Sequence, residues 1–122
     1  PPHCGDDARV RAVEDIPRAL PDGAFDAVAE IRRGIFLTTG LFSEPAEQPG
    51  WLAITCRSPK QAAWMCACVL LENVDARLDD DGRLLVPASA SFTLKDQVKS
   101  VITVVAKVAH YWEMHAAVYG LE

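Results

Sequence analysis

The chain of 122 residues contains no apolar run approaching the roughly 20 residues that a membrane-spanning helix needs. It has no dense Lys/Arg cluster, and its 12 basic residues are outnumbered by 17 acidic ones, for a formal net charge of -5. Nucleic acid and anionic membrane are therefore not expected partners, because both recruit basic patches. There is no internal repeat and no low-complexity tract. The opening "PPHCGDDARV" lacks the basic and then apolar segments of a signal peptide. It also lacks an initiator Met, from which the removal of a preceding segment is expected. Cys4, Cys56, Cys66 and Cys68 include no pair at CxxC spacing. A chain this long and this apolar does not need disulfide staples, so a reduced, cytoplasmic protein is expected. The glycines do not form a phosphate loop, and "DARLDDDG" (75–82) lacks the spacing and closing glutamate of a calcium loop. No motif implies a cofactor or a metal.

What remains is the composition of an ordinary folded domain, 50% hydrophobic and 24% charged. Residues 1–23, rich in Pro, Asp and Gly, read as an N-terminal arm, and 24–122 as a single domain. Asp22 is placed to cap a short helix over about 23–33, with Gly34 as its stop. "GIFLTTG" (34–40) reads as a strand, "LFSEPAEQPG" (41–50) as a polar loop, and "WLAITC" (51–56) as a second strand.

The junction "CRSPKQ" (56–61) carries the clearest local signal. Ser58 is an N-cap, Pro59 stands at the first helical position, and Gln61 completes a capping box, predicting a helix over 59–72. "VDARLDDDGRLLVPA" reads as a hairpin. A loop of Asp80, Asp81 and Gly82 pairs Leu78 with Leu84 and Ala76 with Val86. It also sets Asp79 opposite Arg83, and this register puts the apolar residues on one face. Thr93 is a candidate cap for a last helix over about 94–118, with Asp96 as a weak capping-box partner. At about 100° per residue its apolar stripe comprises Leu94, Val98, Val101, Ile102, Val105, Val108, Ala109, Trp112 and Ala116.

These elements predict an α+β, two-layer sandwich: an antiparallel sheet of about four strands with two long helices on one face. The order β-β-α-β-β-α is partly ferredoxin-like, an analogy of order alone.

Three groups of residues are candidate sites. In "AHYWEMHAA" (109–117), His110 and His115 flank Glu113. A zinc pair on one helix needs ligands four apart, whereas these are five apart and diverge by roughly 140°. They become ligands or catalytic groups only if another element or subunit completes them. Cys56 ends a strand beside Arg57 and just before a helix N-terminus, features that lower a thiol pKa; the competing reading is a strand-end residue tucked into the core. Arg57, Ser58 and Lys60 surround the same N-terminus, whose dipole and free N–H groups suit a small anion.

The last reading concerns partners. Trp64 and Leu71 on the first long helix, and Val104, Tyr111 and Val118 on the last, fall outside the core stripes. Such a surplus marks an interface. A homo-oligomer, dimer or higher, through these helix faces is expected; the alternative reading has the arm of residues 1–23 folding back to cover them. Two functional readings remain. One is an oligomeric domain binding a small anionic ligand or a protein partner. The other is a small enzyme with an intersubunit active site, using either a reactive Cys56 or a His/Glu metal site of His110 and His115 with Glu113.

Overall fold

The computed structural model describes Ile16 and residues 23–120. The remainder of the arm, including the expected cap Asp22, lies outside the described residues. The described order is α1 (Ala27–Thr39), β1 (Phe42–Pro45), β2 (Trp51–Thr55), α2 (Pro59–Leu71), β3 (Arg77–Leu78), β4 (Leu84–Pro87) and α3 (Lys99–Tyr119), the last entered through a turn of π-helix at Leu94–Val98. The four strands form one antiparallel sheet in the order β1-β2-β4-β3. The α+β sandwich read from the sequence is thus the observed architecture, with α1 as a third packing helix.

The first third of the domain differs from the sequence reading. The helix expected at 23–33 runs instead over Ala27–Thr39, capped by Asp26, whose Oδ1 accepts the Ala29 N–H at 3.0 Å. The strand expected at 34–40 is the second half of that helix. Ile31 and Ile35, one helical turn apart, are both fully buried, so helical periodicity outweighs the strand propensity of Ile, Phe and Thr. Thr38 and Thr39 fit the helix by turning their hydroxyls back onto the Gly34 and Ile35 carbonyls, at 2.7 and 2.6 Å. The true stop is Gly40, in the left-handed conformation at φ 76°. The expected loop 41–50 contains β1, whose Pro45 is tolerated because β1 is an edge strand.

Gly34 is therefore a packing glycine rather than a terminator. A Cβ there would meet Ile102 of α3, lying 2.9 Å from Cγ1 and 3.0 Å from Cγ2. These atoms belong to the stem of a β-branched side chain, which has little freedom to move aside.

The helix expected over 59–72 is observed as Pro59–Leu71. Ser58 Oγ accepts the Gln61 N–H at 3.1 Å, and Gln61 Oε1 accepts the N–H of Arg57, at 2.7 Å, rather than that of Ser58. α2 closes through Asn73, which takes a left-handed φ of 64° that asparagine tolerates. The hairpin has the register read from the sequence: Leu78 pairs with Leu84, Asp79 N–H donates to the Arg83 carbonyl at 3.0 Å, and Gly82 has φ 76°. Strand β3 stops at Arg77, so the Ala76–Val86 pair falls beyond the ladder. Arg83 Nε donates to Asp79 Oδ2 at 2.7 Å and its Nη1 to Glu44 Oε1 at 2.9 Å, tying the hairpin to β1.

At the last helix Thr93 makes no side-chain cap. Its carbonyl accepts the N–H groups of Gln97 and Val98, and its N–H donates to Gln97 Oε1 at 2.9 Å. Gln97, not Asp96, is thus the reciprocal partner. The wider π turn leaves Leu94 half exposed, outside the core stripe to which its spacing assigned it.

The core joins Leu52, Ile54, Leu84 and Val86 of the inner sheet face to Ile31 and Ile35, to Met65 and Val69, and to the α3 stripe from Val98 to Ala116. Helix α3 packs against both α1 and α2. On the opposite sheet face the Arg77 guanidinium lies 4.2 Å over the Trp51 ring.

The substitution Gly34→Ala is expected to destabilise the domain by about 1–3 kcal/mol through overpacking. Ile102→Ala should recover much of that loss in the double variant, a coupling that urea denaturation of the four proteins of the cycle measures.

Candidate functional site

The three sequence candidates occupy separate parts of the molecule. Cys56 lies between β2 and α2. Its thiol is pushed up to about 12 by burial. That is opposite to the lowering expected from a neighbouring arginine and a helix N-terminus, because desolvation of the thiolate outweighs both. Cys66 and Cys68, also half-buried, are raised in turn, by burial first and then by Asp75 and Glu72 respectively.

At the start of α2, Arg57 and Lys60 are exposed and Ser58 is half-buried. The helix uses much of its own donor set: the Gln61 N–H goes to Ser58, the Arg57 N–H goes to Gln61, and Pro59 has none to offer. The two cationic side chains flank a junction that Ser58 and Gln61 cap from within the chain.

His110 and Glu113 are exposed on α3, while His115 is half-buried on a different side. His115 stacks on Trp64 of α2, with ring centroids 5.2 Å apart and planes at 22°. Tyr119 sits 4.8 Å from it and Trp112 6.0 Å, both tilted. Trp64 in turn meets Trp112 at 5.6 Å. The imidazole therefore serves as one ring of a four-ring aromatic cluster, with one stacked pair, that joins α2 to α3. Among the described residues, no group of three or more His, Cys, Asp or Glu is placed to hold a metal ion.

The sequence reading missed this cluster. Its signal was partly present: Trp112, His115 and Tyr119 are spaced three and four apart, so they share a helix face. What the spacing cannot give is Trp64, which arrives from another helix.

Further along the same pair of helices Glu72 of α2 forms an ion pair with Lys107 of α3. Trp64 near His115 and Glu72 near Lys107 define an antiparallel crossing. Outside it lies an apolar strip. Leu71 is 80% exposed, Val118 76%, Tyr119 68%, Met114 56% and Tyr111 47%. These are the surfaces left over once the core has been assembled.

Compared with protein-family models, curated proteins and solved structures, the chain matches none of them. Among the described residues no helix is long and apolar enough to cross a membrane.

A thiol held near 12 is protonated at neutral pH. Cys56 is therefore expected to resist iodoacetamide in the folded protein at pH 7–8 and to react on unfolding in urea. Peptide mapping by mass spectrometry reads both states, and fast labelling of folded Cys56 would contradict the burial account.

Proposed function

We propose that this chain is a self-associating α+β binding domain, forming a homo-oligomer through the outer faces of α2 and α3. The observation that carries the reading is the exposed strip of Leu71, Tyr111, Met114, Val118 and Tyr119, bordered by half-buried Trp64 and Val104. Val104, Tyr111 and Val118 recur every seven residues, with Met114 between the last two. That spacing is the seam of a helix that packs lengthwise on another helix. Tyrosine and methionine are enriched at such surfaces, because they bury large areas with adaptable geometry.

The charge pattern supports a second copy of the chain as the occupant. Lys107 falls one turn before Tyr111 and is already neutralised by Glu72. The seam's inner positions can then be desolvated without stranding a charge. A two-fold related copy would supply an identical seam, giving the isologous contact that commonly closes a dimer.

The other parts of the reading have less support. Small-anion binding by Arg57, Ser58 and Lys60 competes with a helix N-terminus that caps itself. The enzymatic alternative requires either Cys56, or His110 and His115 with Glu113, to be completed by a neighbouring subunit. The protonated state of the Cys56 thiol and the stacked position of His115 favour structural roles for both.

Light scattering coupled to size exclusion tests the assembly. The wild-type chain is expected to elute as a dimer or higher oligomer. Val118→Lys and Leu71→Lys, at exposed positions, should shift it to monomer with the circular dichroism spectrum unchanged. A wild-type monomer at the highest concentration reached would overturn the reading.

A further inference from the structure

A second feature stands apart from the α2–α3 surface. The side chain of Arg32, on α1, is half-buried. Its Nε donates to the Ser43 carbonyl of β1 at 2.9 Å, and its guanidinium lies 5.9 Å from the Phe42 ring centroid. These two contacts fix the head group. No hydrogen-bond partner reaches its two terminal nitrogens among the described residues. Burial lowers the pKa of this arginine, and the more distant carboxylates of Glu44 and Asp26 only partly oppose the effect. A cation is thus held in a partly dry place with its outer pair of donors unused.

Arg32 lines a concavity of about 590 Å³. This is within the range of small-molecule sites. Val28 and Ala29 of α1 form one wall, and Trp51 at the start of β2 another. Asp26 and Gln48 add polar groups to the lining. The Arg77 guanidinium lies 4.2 Å over the Trp51 ring.

We propose that this concavity binds a small monocarboxylate with an apolar, preferably aromatic, body. The carboxylate accepts from the two terminal guanidinium nitrogens in a planar fork-to-fork match. The body rests on Trp51, Val28 and Ala29. Charge selects against more highly charged anions, since Asp26 lines the same space and Glu44 lies near it. The exposed Gln48 amide, at the rim, is free to hydrogen-bond a ligand substituent. This inference is independent of self-association, because none of these residues belongs to the strip on α2 and α3.

Titration of the whole chain with phenylacetate, followed by ¹⁵N NMR, tests it. Saturable shifts are expected at the Arg32 Nε–H and the Trp51 indole N–H. 2-Phenylethanol, phenethylamine and inorganic phosphate should each bind at least tenfold more weakly. Arg32→Gln should weaken phenylacetate at least tenfold, and Lys95→Gln, at an exposed position of the π turn, should leave it unchanged. Asp26→Asn retains a capping side chain and removes the competing charge, so it should tighten binding severalfold, an effect that a damaged fold does not mimic. Absence of saturable shifts with phenylacetate would overturn the proposal. So would equal binding by phosphate or the amine, by Arg32→Gln, or loss of binding in Asp26→Asn.

Discussion

The arrangement depends on one helix serving two neighbours with a single stripe. Val98, Val101, Val105, Val108, Ala109, Trp112 and Ala116, running from the π turn along α3, are all buried, and α3 packs against both α1 and α2. Close approach to α1 requires a residue without a side chain, and Gly34 supplies it beneath Ile102. Contact with α2 is set by larger groups, the cluster of Trp64, Trp112, His115 and Tyr119. So the two sides of α3 are packed by opposite means, near backbone contact on one and aromatic volume on the other. Once both sides are engaged, the remaining arc of α3 has nowhere to go in a single chain. Tyr111, Met114 and Val118 remain exposed because the stripe that builds the core is narrower than the apolar content of the helix.

Where the chemistry is local, the sequence was legible. Ser58, Pro59 and Gln61 start α2 through contacts within a few residues, and the hairpin register stems from one left-handed glycine and one face of apolar residues. Where the decisive contact is distant, it was not. Gly34 has the same identity as a helix terminator, and only the presence of Ile102 68 residues later separates the two roles. Misplacing that glycine turned the second half of α1 into a strand and hid β1 in a loop. Thr93 is a similar case. The π turn lets its carbonyl take two N–H groups and its own N–H meet Gln97, an arrangement that a fixed three-residue spacing does not anticipate.

The candidate site shows the same division. The sequence identified His115 as distinct from His110, since five residues on a helix separate their directions. It did not foresee that a tryptophan from α2 would stack on His115. For Cys56 it weighed the charge of Arg57 and the helix dipole, both visible in order along the chain, against a burial that only the assembled core creates. Desolvation won because the thiolate would lose more hydration than an exposed arginine can return.

Two adjacent arginines show how the fold distributes its polar groups. Arg33 turns inward and is fully engaged: it donates to the Ile16 carbonyl at 2.6 Å and pairs with Glu30 of its own helix. Arg32, one residue earlier and about 100° around the helix, turns toward β1. Among the described residues it meets a carbonyl through Nε and a ring. Elsewhere on that side of the sheet, Arg83 is taken up by Asp79 and Glu44, and Arg77 by the face of Trp51. Solvation explains an idle guanidinium on an open surface. It explains less well one that is half-buried, fixed at Nε, and raised in energy by its surroundings. Burial of an arginine without a partner costs stability unless water or another group completes its hydrogen bonds. The concavity at Arg32 is wide enough for that completing group to be larger than water, and Trp51 and Asp26 give it an apolar wall and a limit on charge.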